Sequence, residues 1–259
     1  MKNILILLSF ILFSLSSFSQ DDVERSDDFY YEQIRRIDSL IEIESTDDNF
    51  YLKGQFLYKV KQYKEALNQF NLAIKLNPNI NDYYFNRGIT LDKLNKFDNA
   101  ISDFDTAIKL QIKNNSVYFR RAYSKSNINN FKGARDDYNT YLQLEPNNSD
   151  AYLNRGLVNY NLKLFKESIL DFDKVILLNP NNVEAYENRA ISRATLFKKE
   201  AIDDFNKVVA LKPKDALSYY NRALYFINFK VVGDYCSDLN KAMSLGLTQV
   251  KDLISEKCK

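Results

Sequence analysis

The side chains that could do chemistry in this chain are carboxylates and guanidinium groups, because its 259 residues include no histidine. Histidine is the commonest general base and the commonest metal ligand, so histidine triads, Cys/His zinc sites and histidine-ligated haem are excluded. Carboxylate pairs could still act as acid and base, but no two of them are isolated in an apolar segment that would separate their pKa values. The sequence therefore predicts no catalytic residue, no cofactor, no metal site and no enzyme activity.

Arginine and aspartate recur along the chain at a constant interval of 33 or 34 residues. The arginines stand at Arg87, Arg121, Arg155, Arg189 and Arg222, and the aspartates at Asp103, Asp137, Asp171, Asp204 and Asp238. One interval before Arg87 the chain has Lys53, and one interval before Asp103 it has Gln69. The two residue types therefore occur together and are replaced together. This co-occurrence predicts partly buried Arg–Asp ion pairs.

Two pairings fit this spacing. If each aspartate pairs with the arginine before it, within one repeat, every member of the two sets has a partner. If it pairs with the arginine of the next repeat, Arg87 faces Gln69 and Asp238 is left alone, so the first pairing is favoured. The functional alternative is an arginine ladder that binds acidic ligands, which the five matched aspartates disfavour.

The repeat that positions these residues is marked by proline. Pro78, Pro146, Pro180 and Pro213 are separated by 68, 34 and 33 residues, with Ile112 where one proline is missing. The residue before a proline is disfavoured in helical conformation, so each proline marks the end of a helix. This phase divides the chain into repeats 47–80, 81–114, 115–148, 149–182, 183–215 and 216–247.

Each repeat has the pattern of two packed helices. In the first helix an aromatic residue precedes a small one by four positions, at Phe50/Gly54, Tyr84/Gly88, Tyr118/Ala122, Tyr152/Gly156, Tyr186/Ala190 and Tyr219/Ala223. In the second helix a small residue precedes an aromatic one, at Ala66/Phe70, Ala100/Phe104, Ala134/Tyr138, Ser168/Phe172 and Ala201/Phe205. The turn between them is predicted to carry Tyr63, Phe97, Phe131 and Phe165. These spacings place the residues on one helix face, where small side chains let two helices approach closely.

This pattern resembles the tetratricopeptide repeat family, and six repeats in register make the resemblance specific. The resemblance implies an all-α fold, a right-handed α-solenoid of about six helix-turn-helix repeats. The aromatic residue near the start of each repeat replaces the family's usual tryptophan. A solenoid needs caps over its outermost apolar faces. Residues 20–46, with a helix over 28–44, and residues 248–259 are predicted to form those caps.

A ladder of mostly asparagine stands directly before the arginines, at Asn86, Arg120, Asn154, Asn188 and Asn221. In the family that the chain resembles, this phase of the first helix faces a concave groove, where an asparagine amide can donate to and accept from a peptide backbone. The alternative is that each asparagine satisfies only its own backbone or water. The neighbouring groove positions are mostly apolar, at Phe85, Phe119, Tyr123, Leu157 and Tyr160, with Tyr51, Ile89, Leu153, Ile191, Tyr220, Leu224 and Ile227.

These features predict a non-catalytic scaffold that binds a protein or peptide partner, either a peptide segment or a partner helix, in its groove. The lysines that the family's carboxylate-clamp members use are absent, so an acidic chain terminus is not the predicted ligand. The second hypothesis is a structural or assembly component of a cell-envelope complex with no groove ligand. The oligomeric state is left open.

The first residues have the pattern of a secretory signal peptide. Lys2 precedes an apolar run from Ile4 to Leu15, and small residues follow at the predicted cleavage site before Gln20. Residues 1–19 are therefore predicted to be removed, which places the protein in the periplasm or outside the cell. With 36 Lys and Arg against 34 Asp and Glu, the charge is too balanced to predict a nucleic-acid surface. No other apolar run is long enough to span a membrane.

The two cysteines, Cys236 and Cys258, both lie near the C-terminus. An even pair in an oxidising compartment predicts a disulfide that joins the last hairpin to the C-terminal cap. In the chain-entropy model such a loop of about 23 residues contributes on the order of 3 kcal/mol. The alternative is that Cys236 is a small buried residue and Cys258 an exposed one.

Overall fold

A computed structural model describes residues 26–197 and 199–258, so the predicted signal peptide lies outside the described residues. Within them the chain forms fourteen α-helices and one short 3₁₀ helix, without any strand. The helices are α1 Asp27–Ile43, α2 Asp47–Lys59, α3 Tyr63–Leu76, α4 Asn81–Lys93, α5 Phe97–Lys109, α6 Ser116–Asn127, α7 Phe131–Leu144, α8 Ser149–Asn161, α9 Phe165–Leu178, α10 Val183–Thr195, α11 Ala201–Leu211, α12 Ala216–Phe229, α13 Tyr235–Ser244 and α14 Lys251–Lys257, with the 3₁₀ helix at Thr248–Val250. Helices α2 to α13 pair as six consecutive hairpins, called hairpins 1 to 6, in agreement with the predicted solenoid class.

Local sequence signals set the helix ends. Side-chain oxygens of Thr46, Asn148, Asn182 and Asp215 accept the backbone N–H three residues on, which satisfies a free donor at the start of a first helix. After each first helix one residue takes a left-handed conformation, for instance Lys163 with φ 60°. The turns are therefore short, and the second helix starts two residues after this point in four hairpins.

This short turn corrects one prediction. The aromatic residues assigned to the turn, Tyr63, Phe97, Phe131 and Phe165, are instead the first residues of the second helices. Two of these rings pack back on the preceding helix, with ring centroids 5.3 Å apart for Tyr58–Tyr63 and 5.4 Å for Tyr160–Phe165, whereas the Phe97 ring contacts Tyr123 of the next hairpin. Tyr63 and Phe165 therefore close the turn ends of their hairpins.

The chain divides into two compact units, described up to Asn79 and from Ile80 onward. In the first unit α1 packs against hairpin 1. Ile34 and Ile37 of α1 join Phe56, Leu57 and Phe70 of the hairpin in one buried cluster. The apolar face of α1 is thus covered by the hairpin that follows it.

The second unit stacks hairpins 2 to 6. Within hairpin 4 the two helices are so close that a methyl group on Gly156 would lie 2.7 Å from the Phe172 ring. Glycine is therefore needed there, whereas hairpin 3 accommodates Ala122 beside Tyr138. The small/aromatic pattern of the sequence thus reflects a close helix–helix contact.

The first helices approach one another more closely than the second helices do. Contacts join α4 to α6, α6 to α8 and α8 to α10, whereas no pair of second helices among the described residues makes comparable contacts. The stack of hairpins 2 to 5 therefore curves with its first helices on the inner side. No helix in the described ranges has the length and apolar character that crossing a bilayer requires.

The last hairpin is closed by the predicted disulfide. Cys236 and Cys258 are bonded, with their Cα atoms 5.6 Å apart. Beneath the bond, Val250 joins Ala223 and Leu239 in a buried cluster against which Leu253 and Ile254 pack. The C-terminal segment therefore covers the end of hairpin 6 as a cap.

Candidate functional site

Every arginine of the recurring set lies against the aspartate of its own hairpin, which is the first of the two pairings considered. The Arg Nε to carboxylate distances run from 2.7 to 3.0 Å, in Arg87–Asp103, Arg121–Asp137, Arg155–Asp171, Arg189–Asp204 and Arg222–Asp238. In each pair Nη2 makes a second, parallel hydrogen bond. The five aspartates are 2 to 5% exposed, so these bidentate pairs belong to the protein interior.

Four of these arginines also contact the preceding hairpin, a feature that the sequence analysis missed. Their Nη1 donates to Asp105, Asn139, Asp173 and Asn206, over 2.5 to 2.9 Å. The guanidinium also lies over the tyrosine three residues earlier, for instance 5.4 Å from the Tyr152 ring centroid to Cζ of Arg155. With carboxylates, amides and rings around them, these groups join neighbouring hairpins and do not form an open ladder for acidic ligands.

The asparagines of the ladder hold a fixed orientation on the inner helices. Asn86, Asn154 and Asn188 donate Nδ2–H to the carbonyl four residues earlier, over 2.8 to 2.9 Å. For Asn154 and Asn188, nothing else in the described ranges bonds to the amide, so a second N–H and Oδ1 remain for a ligand. Each of these asparagines can therefore keep the hydrogen bond to its own helix backbone and still bind a ligand.

A second row of asparagines runs beside the ladder, seven residues further along the same helices. Asn127 and Asn161 donate to the carbonyls of Tyr123 and Leu157, again four residues earlier and over 2.9 Å. Asn228 takes the same place in hairpin 6. Seven residues are about two helical turns, so the second row lies on the same helix face as the first. The repeated Asn spacing of seven, as in 154/161 and 221/228, is the signal that could have shown this row in advance.

Between the two rows lies an open cleft where α10 meets α12. It has a volume of about 230 Å³. Its lining is uncharged: Ile191, Ala194, Thr195, Phe205, Asn221, Leu224, Tyr225, Asn228 and Phe229. It therefore combines an apolar floor with amide groups from both asparagine rows, an arrangement suited to an apolar side chain and its backbone.

The predicted apolar groove residues divide into core and surface. Phe85 is 6% exposed and packs on Phe104, so that prediction of a ligand contact is wrong. Phe119 is likewise held between the rings of Tyr138 and Tyr141, at 5.6 and 5.4 Å. Both side chains point at their own second helix.

Three other predicted groove residues retain some exposure. Tyr123 is 41% exposed and makes an edge contact with the Phe97 ring. Leu157 and Tyr160 are less exposed than Tyr123 but are not fully buried. Tyr123 is therefore the most accessible aromatic residue of the predicted groove set.

A buried carboxyl group lies below the place where Arg120 interrupts the asparagine ladder. Asp92 of α4 is 8% exposed and accepts the hydroxyl of Ser124 on α6. Burial raises the pKa of Asp92 to about 6, and the Ser124 hydrogen bond and the charge of Arg120 offset part of this rise. Its Oδ2 and the Tyr138 hydroxyl have no hydrogen-bond partner among the described atoms. No sequence pattern marks Asp92, because it does not recur with the repeat.

No cluster of three or more metal-ligating side chains occurs in the described part of the chain. The Asp92 carboxyl lies at the contact between α4 and α6, and the residue is 8% exposed. The inner helices carry amide hydrogen-bonding groups beside apolar side chains.

Known proteins with this repeat match the chain. Family models of the tetratricopeptide repeat match residues 48–80, 82–113 and 119–183, about half of the chain. A TPR repeat-containing protein of Methanocaldococcus jannaschii is 36% identical over 50 residues, which are 19% of this chain and 9% of that protein. The chain thus spans only a small part of that relative.

Solved structures agree with the fold. YrrB, described as a TPR protein with an unusual peptide-binding site, gives a TM-score of 0.66 at 18% identity, covering 72% of this chain and 97% of its own. The C-terminal part of a TPR repeat-containing protein from Cytophaga hutchinsonii gives 0.72 at 16% identity, covering 86% and 95%. A tetratricopeptide repeat protein from Parabacteroides merdae gives 0.64 at 22% identity, covering 79% and 78%. The repeat matches and the stacked hairpins together show that this chain belongs to the tetratricopeptide repeat family.

Proposed function

We propose that the protein is a non-catalytic scaffold that binds a peptide segment or a partner helix along its inner helices, outside the cytoplasm. The observation that carries this proposal is the uncharged cleft between α10 and α12, flanked by Asn221 and Asn228. A volume of about 230 Å³ accommodates one large apolar side chain. The flanking amides can bond to the backbone on either side of that side chain.

The tetratricopeptide fold is typical of protein–protein interaction scaffolds, and YrrB is described as having a peptide-binding site. This likeness supports the class of function, whereas the cleft supports the class of ligand. An uncharged lining disfavours a charged anchor residue, because a buried charge without a partner is costly. The proposed ligand is therefore a segment with a large apolar anchor.

The groove can be tested with peptides selected from a phage-displayed random library on the purified protein. The double variant Asn221→Ala/Asn228→Ala is expected to weaken the selected peptides about tenfold, since each lost hydrogen bond costs about 0.5–1.5 kcal/mol. Fluorescence anisotropy of labelled peptides measures this loss. Selected sequences are expected to share a large apolar residue.

Asn240→Ala is the matched control. The Asn240 amide also bonds to a carbonyl four residues earlier, that of Cys236 at 2.8 Å, but it lies on the second helix α13. The groove proposal fails if Asn240→Ala weakens binding as much as the double variant does. A library that yields no binder would favour the alternative function, a structural component of an envelope complex.

The location outside the cytoplasm is proposed from the signal-like residues 1–19 and from the Cys236–Cys258 disulfide, a bond typical of oxidising compartments. The intact mass of the protein isolated from its native cells is expected to correspond to a chain that begins at Gln20. It should rise by about two mass units on reduction, because one disulfide takes up two hydrogen atoms. A mass that retains residues 1–19, or that does not change on reduction, would contradict this location.

A further inference from the structure

The second helix of hairpin 4, α9, carries two strongly exposed leucines. Leu170 is 67% exposed and Leu177 is 72% exposed. They are seven residues apart and therefore lie on one helix face, with Asp173 and Lys174 between them. These four residues, Leu170, Asp173, Lys174 and Leu177, are called the leucine stripe.

The repeat itself shows that the fold does not require these leucines. The residue pairs at the same two positions of the other second helices are Asn68/Lys75, Ser102/Lys109, Asp136/Gln143, Asp203/Ala210 and Ser237/Ser244. Five of the six hairpins thus have polar or small residues there. Only hairpin 4 has a leucine at each of these two positions, and both leucines are exposed. This exception to the repeat indicates an interaction surface.

We propose that the leucine stripe binds the leucine stripe of a second copy of this chain, with the two α9 helices antiparallel. A two-fold axis between residues 173 and 174 places Leu170 opposite Leu177 of the second copy, and Asp173 opposite its Lys174. The order apolar, acidic, basic, apolar is thus complementary to its own reverse. Such self-complementarity is what a symmetric dimer interface requires.

Both charged members of the stripe already have a partner within the chain, and each keeps room for another. Arg189 and Arg193 both contact Oδ1 of Asp173, and no contact of its Oδ2 occurs among the described residues. The Asp173 side chain is 42% exposed. Lys174 has its Nζ 6.0 Å from the Tyr152 ring centroid, which is a loose contact that a carboxylate can replace. Both charges can therefore reach across the proposed axis.

The surface on either side of Leu170 is concave. One cleft, of about 290 Å³, is lined by Leu170 together with Arg135 and Glu167. The other, of about 370 Å³, contains Leu170 with Ile169, Lys166 and Glu200. A helix ridge with a cleft on each side gives a facing helix somewhere to pack. A contact built on one helix pair is small, so we expect a reversible dimer.

Sedimentation equilibrium tests this proposal by measuring the dissociation constant of the dimer. The purified protein is studied from about 5 to 500 μM, because a small interface is expected to give a weak, reversible dimer. The double variant Leu170→Asn/Leu177→Lys installs the residues of hairpin 1, which the repeat tolerates, so it should fold normally. It is expected to raise the dimer dissociation constant at least tenfold. Leu217→Asn, which removes a 53% exposed leucine of α12, should leave that constant unchanged. A wild-type protein that is monomeric throughout, or a double variant that dimerises equally well, overturns the proposal.

Cysteine cross-linking tests the orientation. The described chain has no free cysteine, so an added thiol reports on its own position. Lys174→Cys lies beside the proposed axis and is expected to form a disulfide-linked dimer on mild oxidation. Lys207→Cys is the matched control, because Lys207 has the equivalent place in α11, with Nζ 6.0 Å from the Tyr186 ring centroid. Equal cross-linking of the two variants would overturn the antiparallel arrangement.

Discussion

Replacing Asp204 with alanine is expected to lower the free energy of unfolding by about 3–5 kcal/mol. Asp204 is 2% exposed and accepts three hydrogen bonds, two from Arg189 and one from Arg193, over 2.5 to 3.0 Å. Alanine would leave two guanidinium groups, whose side chains are only 13 and 19% exposed, to share the more exposed Asp173 as their one remaining carboxylate. Losing the buried partner of such a group costs more than the net gain from forming the pair. Urea unfolding followed by circular dichroism measures the effect.

The neighbouring residue provides the control. Asp203 is also acidic and also on α11, but it is exposed, so Asp203→Ala should change stability by less than about 0.5 kcal/mol. Asp204→Asn keeps one acceptor oxygen in place and should fall between the two. If both alanine variants lose the same stability, the effect comes from net charge and not from the buried pair.

Replacing Asp92 with asparagine is expected to raise stability at pH 7, by up to about 3 kcal/mol. Burial raises the pKa of Asp92 from 3.8 to about 6, so the folded protein at pH 7 holds an ionised carboxyl group that is costly to bury. A rise of this size corresponds to about 1.4 kcal/mol per pKa unit. Asparagine has nearly the same shape and keeps an oxygen that can accept the Ser124 hydroxyl.

The pH dependence distinguishes this cause from better packing. Between pH 4 and 6 the folded state holds a proton on Asp92 and the unfolded state does not, so the wild-type protein gains stability as the pH falls. The advantage of Asp92→Asn should therefore be largest above pH 6 and vanish below pH 4. Asp98→Asn, on the exposed face of α5, serves as control and should stay within about 0.5 kcal/mol of wild type. If the free energies of unfolding of Asp92→Asn and wild type differ by the same amount at pH 4 and at pH 7, the ionised carboxyl group is not the cause.

The sequence was sufficient for the fold because a repeat protein is built from local contacts. In the second unit the hairpins contact only neighbouring hairpins, so the Gly156/Phe172 spacing and the proline-marked repeat together define the packing there. The Arg–Asp pairing within a hairpin could be predicted in the same way, because it connects two adjacent helices. The disulfide followed from the presence of only two cysteines, both near one end.

The candidate site was harder to predict. Phe85 and Phe119 have helical spacing that suits the groove, yet each side chain turns toward its own second helix. Spacing identifies a helix face but does not separate inward packing from exposure. Asp92 could not be predicted in this way because its burial depends on the contact between α4 and α6. Its hydrogen-bond partner Ser124 is 32 residues away along the chain.

The contacts between neighbouring hairpins alternate in chemical type, since the arginines reach Asp105, Asn139, Asp173 and Asn206 in turn. An arginine bonded to a carboxylate has the attraction of two opposite charges, whereas an arginine bonded to an amide does not, although the donor is charged in both. The cleft between α10 and α12 lies at an arginine–amide junction, where Arg222 meets Asn206. Widening this junction to admit a bulky side chain would therefore not separate the two charges of an ion pair between Arg222 and the preceding hairpin.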